Sequence, residues 1–130
     1  MRAEGWEGRL AHHVEAAYRV PFQWGSHDCA LWSAQWVREA TGLDYVSAWE
    51  GKYKTELGAA RLLKRLGHQT VADLADAHLE RKPVAFAQRG DVVLSDQGCL
   101  GVCHGRHAFF LAASGVLMEP TAACVAAWSV

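Results

Sequence analysis

Apolar residues recur at helical spacing through the N-terminal half of the chain. Trp6, Leu10 and Val14 lie four residues apart with charged residues between them, a pattern typical of a helix that buries one face. The same periodicity predicts three further helices, over residues 28–41, 55–66 and 71–81. In the second helix, apolar side chains cover most of the circumference, so we expect it to be buried at the centre of the fold.

Residues that start and stop helices border these segments. Ser26 and Asp28 are candidate caps for the second helix, and Thr70 is a candidate cap for the fourth. Gly42 and Gly67 follow the second and third helices, where glycine commonly ends a helix. The borders therefore agree with the apolar periodicity.

The composition changes at Gly90, after which short apolar runs alternate with glycine-containing turns. These runs predict strands over residues 91–94, 99–103, 107–112, 116–118 and 123–130. The charged run Glu80–Lys82 is interpreted as the end of the fourth helix, since basic residues there oppose the helix dipole. Helices followed by an antiparallel meander predict an α+β fold in a single domain, residues 1–130.

Composition and charge exclude several classes of function. The 130 residues are 51% hydrophobic and 21% charged, as in an ordinary folded domain, and the net charge of −1 disfavours a nucleic-acid partner. No apolar run is long enough to span a membrane, and the charged N-terminus lacks the apolar segment of a signal peptide, so we expect synthesis in the cytoplasm. Six tryptophans suggest a protein partner, with Trp24 and Trp49 as docking candidates.

Cys29 is the best-placed reactive group in the sequence. It falls in the first turn of the buried second helix, where unpaired backbone N–H groups and the helix dipole favour a thiolate. The alternative is a free cysteine that only packs in the core. Cys29 is therefore a candidate nucleophile.

Several short motifs, in a characteristic order, carry a family resemblance. The segment Trp24–Leu31, with Cys29 at a helix start, resembles the nucleophile segment of the NlpC-like papain-fold cell-wall peptidases. Gly90–Leu94 resembles the Gly-Asp strand that opens their sheet, and Leu100–Gly105 resembles the strand that follows their catalytic histidine. The resemblance implies a papain-like domain, with N-terminal helices and a Cys-bearing central helix packed on a C-terminal antiparallel sheet.

Two further motifs narrow the resemblance. Tyr53–Ala59 and the closing pair Ala127-Trp128 resemble segments of small papain-fold proteins encoded among the tail-tip genes of long-tailed phages. This narrower resemblance implies a place in the virion, at the tail tip or baseplate, with other tail proteins as partners.

The chain departs from the family at the catalytic base. When Gly101 and Gly105 are aligned with the two glycines of the family, the position of the catalytic histidine falls on Cys99. The residue that would orient the imidazole falls near Leu111. A thiol cannot replace imidazole as general base, and an apolar side chain cannot accept its hydrogen bond. By this alignment the triad is broken.

Three histidines are alternative candidate bases. His104 lies five residues beyond Cys99, on the opposite face of the same strand and roughly 16 Å away, unless a bulge shifts the register. His107 begins the next strand, and His27 precedes Cys29 by two residues. The remaining histidines are interpreted as solvated: His12, His13, His68 and His78.

Placing Cys99 opposite Cys29 would bring two thiols near disulfide range, which requires Cα atoms within about 7 Å. A metal would need more ligands, and Cys103 lies roughly 13 Å from Cys99 along the strand. The four cysteines match no standard zinc pattern, so we expect neither metal nor cofactor. A thiol-based redox or metal site on Cys29 and Cys99 is nevertheless a third hypothesis for function.

The favoured hypothesis is a pseudoenzyme. In it, the chain is a phage tail-tip or baseplate component with a degenerate NlpC-like fold, acting in tail assembly or hub structure. The alternative is an active cysteine peptidase or amidase that cleaves peptidoglycan cross-links during phage entry. Cys29 would then attack the amide, with His104 or His107 as base and backbone N–H groups stabilising the oxyanion.

Overall fold

The computed structural model describes residues 2–130. Its helices precede its sheet in the chain, and they are α1 (Trp6–Ala17), α2 (Cys29–Thr41), α3 (Glu56–Arg65) and α4 (Val71–His78). The strands are β1 (Glu80–Lys82), β2 (Val92–Leu94), β3 (Leu100–His104), β4 (His107–Ala112), β5 (Gly115–Pro120) and β6 (Ala126–Ser129). They form one antiparallel sheet in the order β1-β6-β2-β3-β4-β5. The predicted α+β class is confirmed. In residues 2–130 no helix is both long and apolar enough to cross a bilayer.

Side-chain caps decide where three of the helices start. The Asp28 carboxylate accepts a hydrogen bond from the Leu31 N–H, and the Thr55 hydroxyl accepts one from the Gly58 N–H. Thr70 forms a reciprocal capping box with Asp73 at the start of α4. These caps place the starts of α2, α3 and α4 within one residue of the predicted positions.

The predicted fourth helix is too long at its C-terminal end. It stops at His78, and Glu80–Lys82 forms the edge strand β1 instead of a last helical turn. Arg81 pairs with Trp128 in the register of β1 on β6, and its guanidinium also bonds the Asp76 carboxylate through two contacts of 3.0 Å. The charged run therefore belongs to the sheet, because pairing with a strand from the C-terminus satisfies its backbone.

The sheet is not the simple meander that the sequence predicted. Strands β2 to β5 follow one another as a meander, but β6 returns across the sheet and lies between β1 and β2. Val93 pairs with Ala127 of β6 on one side and with Gly101 of β3 on the other. The C-terminal strand thus occupies a central position rather than an edge.

Helix α2 packs at the centre of one face of the sheet, as its apolar circumference predicted. Trp36 and Val37 of α2 are fully buried, and so are Val92 and Trp128 of the sheet. The Trp36 indole also donates to the carbonyl of Gly90 at 2.8 Å, just before β2. The start of β2 is therefore attached directly to the central helix.

Of the side chains expected at the surface, one is buried and another is partly buried. Trp49 is only 3% exposed and packs edge-on against Tyr53 in the main core, so it cannot serve as the docking anchor that the sequence suggested. His13 is not solvated, because its ring stacks on Trp32 with 4.9 Å between ring centroids. Its Nε2 also contacts the Trp32 carbonyl at 3.0 Å, and burial lowers the His13 pKa.

Asp91 joins the two chain ends to the sheet. Its carboxylate is almost fully buried and accepts hydrogen bonds from the Arg2 guanidinium at 3.0 Å and the Lys82 ammonium at 2.6 Å. The backbone N–H groups of Gln88 and Val130 donate to the same carboxylate at 2.8 and 3.1 Å. Because a buried charge needs such partners, this one residue connects the N-terminus, β1, the start of β2 and the C-terminus.

We predict that Asp91→Asn lowers the free energy of unfolding by about 3 kcal/mol, because it leaves Arg2 and Lys82 partly buried without a compensating charge. Urea unfolding at neutral pH measures the change. Glu15→Gln is the matched control, since it neutralises an acid in the exposed Glu15–Arg19 pair and should cost about 0.5 kcal/mol or less. Equal losses in the two variants would contradict this account of Asp91.

Candidate thiol site

The loop before α2 is organised by one buried carboxylate. Asp28 is 1% exposed, and its Oδ1 accepts the Leu31 N–H at 3.0 Å. Its Oδ2 accepts the Gly25 N–H at 3.0 Å and the Tyr53 hydroxyl at 2.5 Å. The Asp28 side chain therefore connects the start of α2, the loop before it and the segment before α3.

Gly25 allows this loop to pack closely. Its φ is +86°, and a Cβ at this position would lie 1.9 Å from the carbonyl oxygen of Tyr53. The Gly25 carbonyl accepts the Gly51 N–H at 2.8 Å. A larger residue would therefore push Tyr53 away from Asp28 and shift the start of α2.

The structure brings Cys29 and Cys99 together. Cys29 is the first residue of α2, and Cys99 immediately precedes β3. The two free thiols are hydrogen-bonded to each other, and the Leu100 N–H donates to the Cys29 sulfur. The Ser95 hydroxyl donates to the Cys99 sulfur, while its oxygen accepts the Cys99 N–H at 3.1 Å. Both cysteines are partly exposed.

The pair shares one proton. The Cys29 thiol and the Ser95 hydroxyl donate to the Cys99 sulfur, which lowers the pKa of Cys99 to about 6. The same contact with Cys99, together with burial, raises the pKa of Cys29. At neutral pH the two sulfurs therefore carry one proton and one negative charge.

The candidate histidine bases lie elsewhere. His104 and His107 face each other where β3 turns into β4, at the opposite end of β3 from Cys99. The His27 ring lies beside the Ala17 carbonyl at the end of α1, and burial lowers its pKa. None of the histidines in the described chain is among the main groups that shift the pKa of Cys29 or Cys99.

Two further expectations concern the residue that would orient the imidazole and the possibility of a metal site. Leu111 is buried and packs with Trp32, Trp36 and Val102, so an apolar cluster fills the place of the orienting residue. Across residues 2–130, no three histidine, cysteine or acidic side chains come together as metal ligands. The described site thus consists of two thiols and the groups that hydrogen-bond to them.

Two contacts of this site are not evident from the motifs in the sequence. Tyr53 belongs to the motif Tyr53–Ala59, which gives no sign that its hydroxyl bonds Asp28. Ser95 belongs to none of the motifs. A serine just before the Asp-Gln-Gly turn is a local signal for a side chain that accepts nearby backbone N–H groups, and Ser95 does accept those of Gln97 and Cys99.

Comparison with known families adds one finding. The family described as a domain of unknown function, DUF6950, matches residues 1–130. The chain belongs to the DUF6950 family. No curated protein and no solved structure matches it.

We predict that Cys99 is the most reactive thiol of this DUF6950 domain toward iodoacetamide at pH 6.5. Its thiolate is then the main form, whereas burial raises the pKa of Cys124 to about 11. Cys29→Ala removes a hydrogen-bond donor and should slow the alkylation of Cys99 roughly fivefold, because the lost thiolate fraction outweighs the gain in nucleophilicity.

Peptide mass spectrometry measures the rate at each cysteine. Cys124→Ala is the control, because Cys124 is not among the main groups that shift the pKa of Cys29 or Cys99. Alkylation of Cys99 that proceeds equally fast with and without Cys29 would show that the two thiols do not share a proton.

Proposed function

We propose that this chain is a non-hydrolytic relative of the NlpC-like papain-fold peptidases and acts as a structural component of a phage tail tip or baseplate. The observation that carries the non-hydrolytic part is the contact between Cys29 and Cys99, at the place where the resemblance implies a Cys–His pair. The phage assignment rests on the order of the sequence motifs.

Three features of the fold support the papain-like part of the proposal. Cys29 begins a central buried helix, that helix packs on an antiparallel sheet, and Cys99 lies at the start of a strand in the middle of that sheet. Asp28 caps the helix immediately before the thiol. This is the arrangement that the resemblance implies for a nucleophile and its partner.

The chemistry of the pair does not suit amide hydrolysis. A cysteine peptidase needs a base that takes the nucleophile's proton and later gives it to the leaving amine. Here the proton stays on Cys29, because the hydrogen bond with Cys99 and the burial of the Cys29 thiol raise the pKa of Cys29. A protonated thiol is a poor nucleophile, and Cys99 lacks the helix-start N–H groups that would stabilise an oxyanion.

The surface suits a protein that packs against neighbours. Strand β5 is an edge of the sheet, so one side of its backbone is open to pairing. Its Leu117 and Met118 side chains are 43% and 59% exposed. An open strand edge with apolar side chains is a natural contact for the other tail proteins that the proposal requires.

We predict that phage carrying Cys29→Ala assembles normal tails and keeps its infectivity. Purified protein should release no more new amino groups from peptidoglycan than the Cys29→Ala variant does, because neither has a working base. Two results together would instead establish the peptidase. Phage carrying Cys29→Ala would form intact particles that are not infectious, and the purified protein would hydrolyse peptidoglycan only when Cys29 is present.

The assembly role has its own test. Met118→Lys should reduce the amount of this protein in purified particles severalfold, because it places a charge at the open edge of β5. Leu57→Lys is the matched control, since Leu57 is 60% exposed on the helix α3 and not on a strand edge. Thermal unfolding of both variants checks that they fold. Normal incorporation of the folded Met118→Lys protein would contradict docking through β5.

A further inference from the structure

We propose that Cys29 and Cys99 are a reversible dithiol–disulfide site, which reacts with small-molecule disulfides and cross-links the start of α2 to the sheet. This inference goes beyond the structural role proposed above and does not depend on it. A tail component and a peptidase could both carry such a pair, so the two proposals are tested separately.

The positions of the two sulfurs carry the inference. Cys29 begins α2, Cys99 immediately precedes β3, and the two thiols are hydrogen-bond partners before any oxidation. The Cys29 sulfur also accepts a hydrogen bond from the Leu100 N–H, next to Cys99 in the chain. Both cysteines are free and partly exposed. A disulfide therefore requires only that two neighbouring sulfurs move to bonding distance.

The turn before β3 holds Cys99 in this position. The Ser95 N–H donates to the Cys99 carbonyl at 2.8 Å, and the Cys99 N–H donates to the Ser95 hydroxyl at 3.1 Å. Cys99 also precedes the first residue of β3 that pairs with β2, so the sheet constrains it less than it constrains Leu100. The turn thus holds Cys99 in place and still allows it a small movement.

The other two cysteines lack these features. Cys103 and Cys124 are buried within a small apolar cluster, whereas Cys99 packs at its margin and is partly exposed. The Cys103 thiol donates to the Gly105 carbonyl at 3.4 Å and contacts the Thr121 hydroxyl at 3.7 Å. They serve as internal controls, since they have the same chemistry in a closed environment.

The exchange proceeds in two balanced steps. The Cys99 thiolate attacks a disulfide RSSR, which forms a Cys99–SR mixed disulfide and releases one thiolate. The Cys29 thiol then loses its proton to that thiolate or to solvent and attacks the Cys99 sulfur, which breaks the mixed bond and releases the second thiolate. In sum, two protein thiols lose two electrons and two protons, and RSSR becomes two molecules of RSH.

The charge around Cys99 selects the class of disulfide. Cys99 lines a surface cleft of about 70 Å³ together with Asp96 and Glu119. The negative charge of Glu56 also acts on the Cys99 thiol. We therefore expect a cationic disulfide such as cystamine to react faster than the anionic disulfide of glutathione.

The test incubates the full chain with cystamine at neutral pH and maps its peptides by mass spectrometry. We expect the loss of two hydrogens in a Cys29–Cys99 cross-linked pair of peptides, reversed by dithiothreitol. The Tm should rise by about 5–10 °C, because the bond closes a long loop of the unfolded chain. Oxidised glutathione, tested in parallel, should react severalfold more slowly.

Single variants separate the two steps. Cys29→Ser should stop at a cystamine adduct on Cys99, and Cys124→Ser should still form the internal bond. Circular dichroism checks that both variants fold, and the peptide map of the natural chain decides the matter if one does not. A stable adduct on Cys99 of the natural chain, a bond that involves Cys103 or Cys124, or no reaction would each overturn the proposal.

Discussion

The buried Asp28 carboxylate is the interaction on which the site depends. It holds the first turn of α2, the Gly25 loop and the Tyr53 hydroxyl with three hydrogen bonds. Because a buried charge is tolerated only when it is fully hydrogen-bonded, these three segments can pack in only one way relative to each other. That packing sets Cys29 as the first residue of α2, at the positive end of the helix dipole and against Cys99.

The parts of the fold that local chemistry decides could be predicted from the sequence. Caps and apolar periodicity located α2, α3 and the start of α4, because each cap bonds a backbone N–H only three residues away. Strand β1 could not be predicted in this way. Its pairing depends on β6, nearly fifty residues later, and a charged run such as Glu80–Lys82 suits a helix end as well as an edge strand. The partial burial of His13 likewise depends on how α1 packs on α2.

The candidate site was partly accessible to the same reasoning. A reactive position for Cys29 follows from the helix start, and alignment of the motifs placed Cys99 opposite it. The shared proton could not be foreseen, because it depends on the contact of the two sulfurs and on the Ser95 hydroxyl. Those contacts give the pair thiolate chemistry of its own, which is a physical reason for a cysteine at position 99.

The central claim is that Cys99 occupies the place of a catalytic base, and Cys99→His tests it most directly. If the claim is right, the imidazole forms an ion pair with Cys29, and alkylation of Cys29 at pH 6 becomes about tenfold faster than in Cys99→Gln, which cannot take up a proton. Peptide mass spectrometry of the two variants measures this ratio. Equal, slow alkylation of Cys29 in both variants would mean that residue 99 does not stand where a base could act on Cys29.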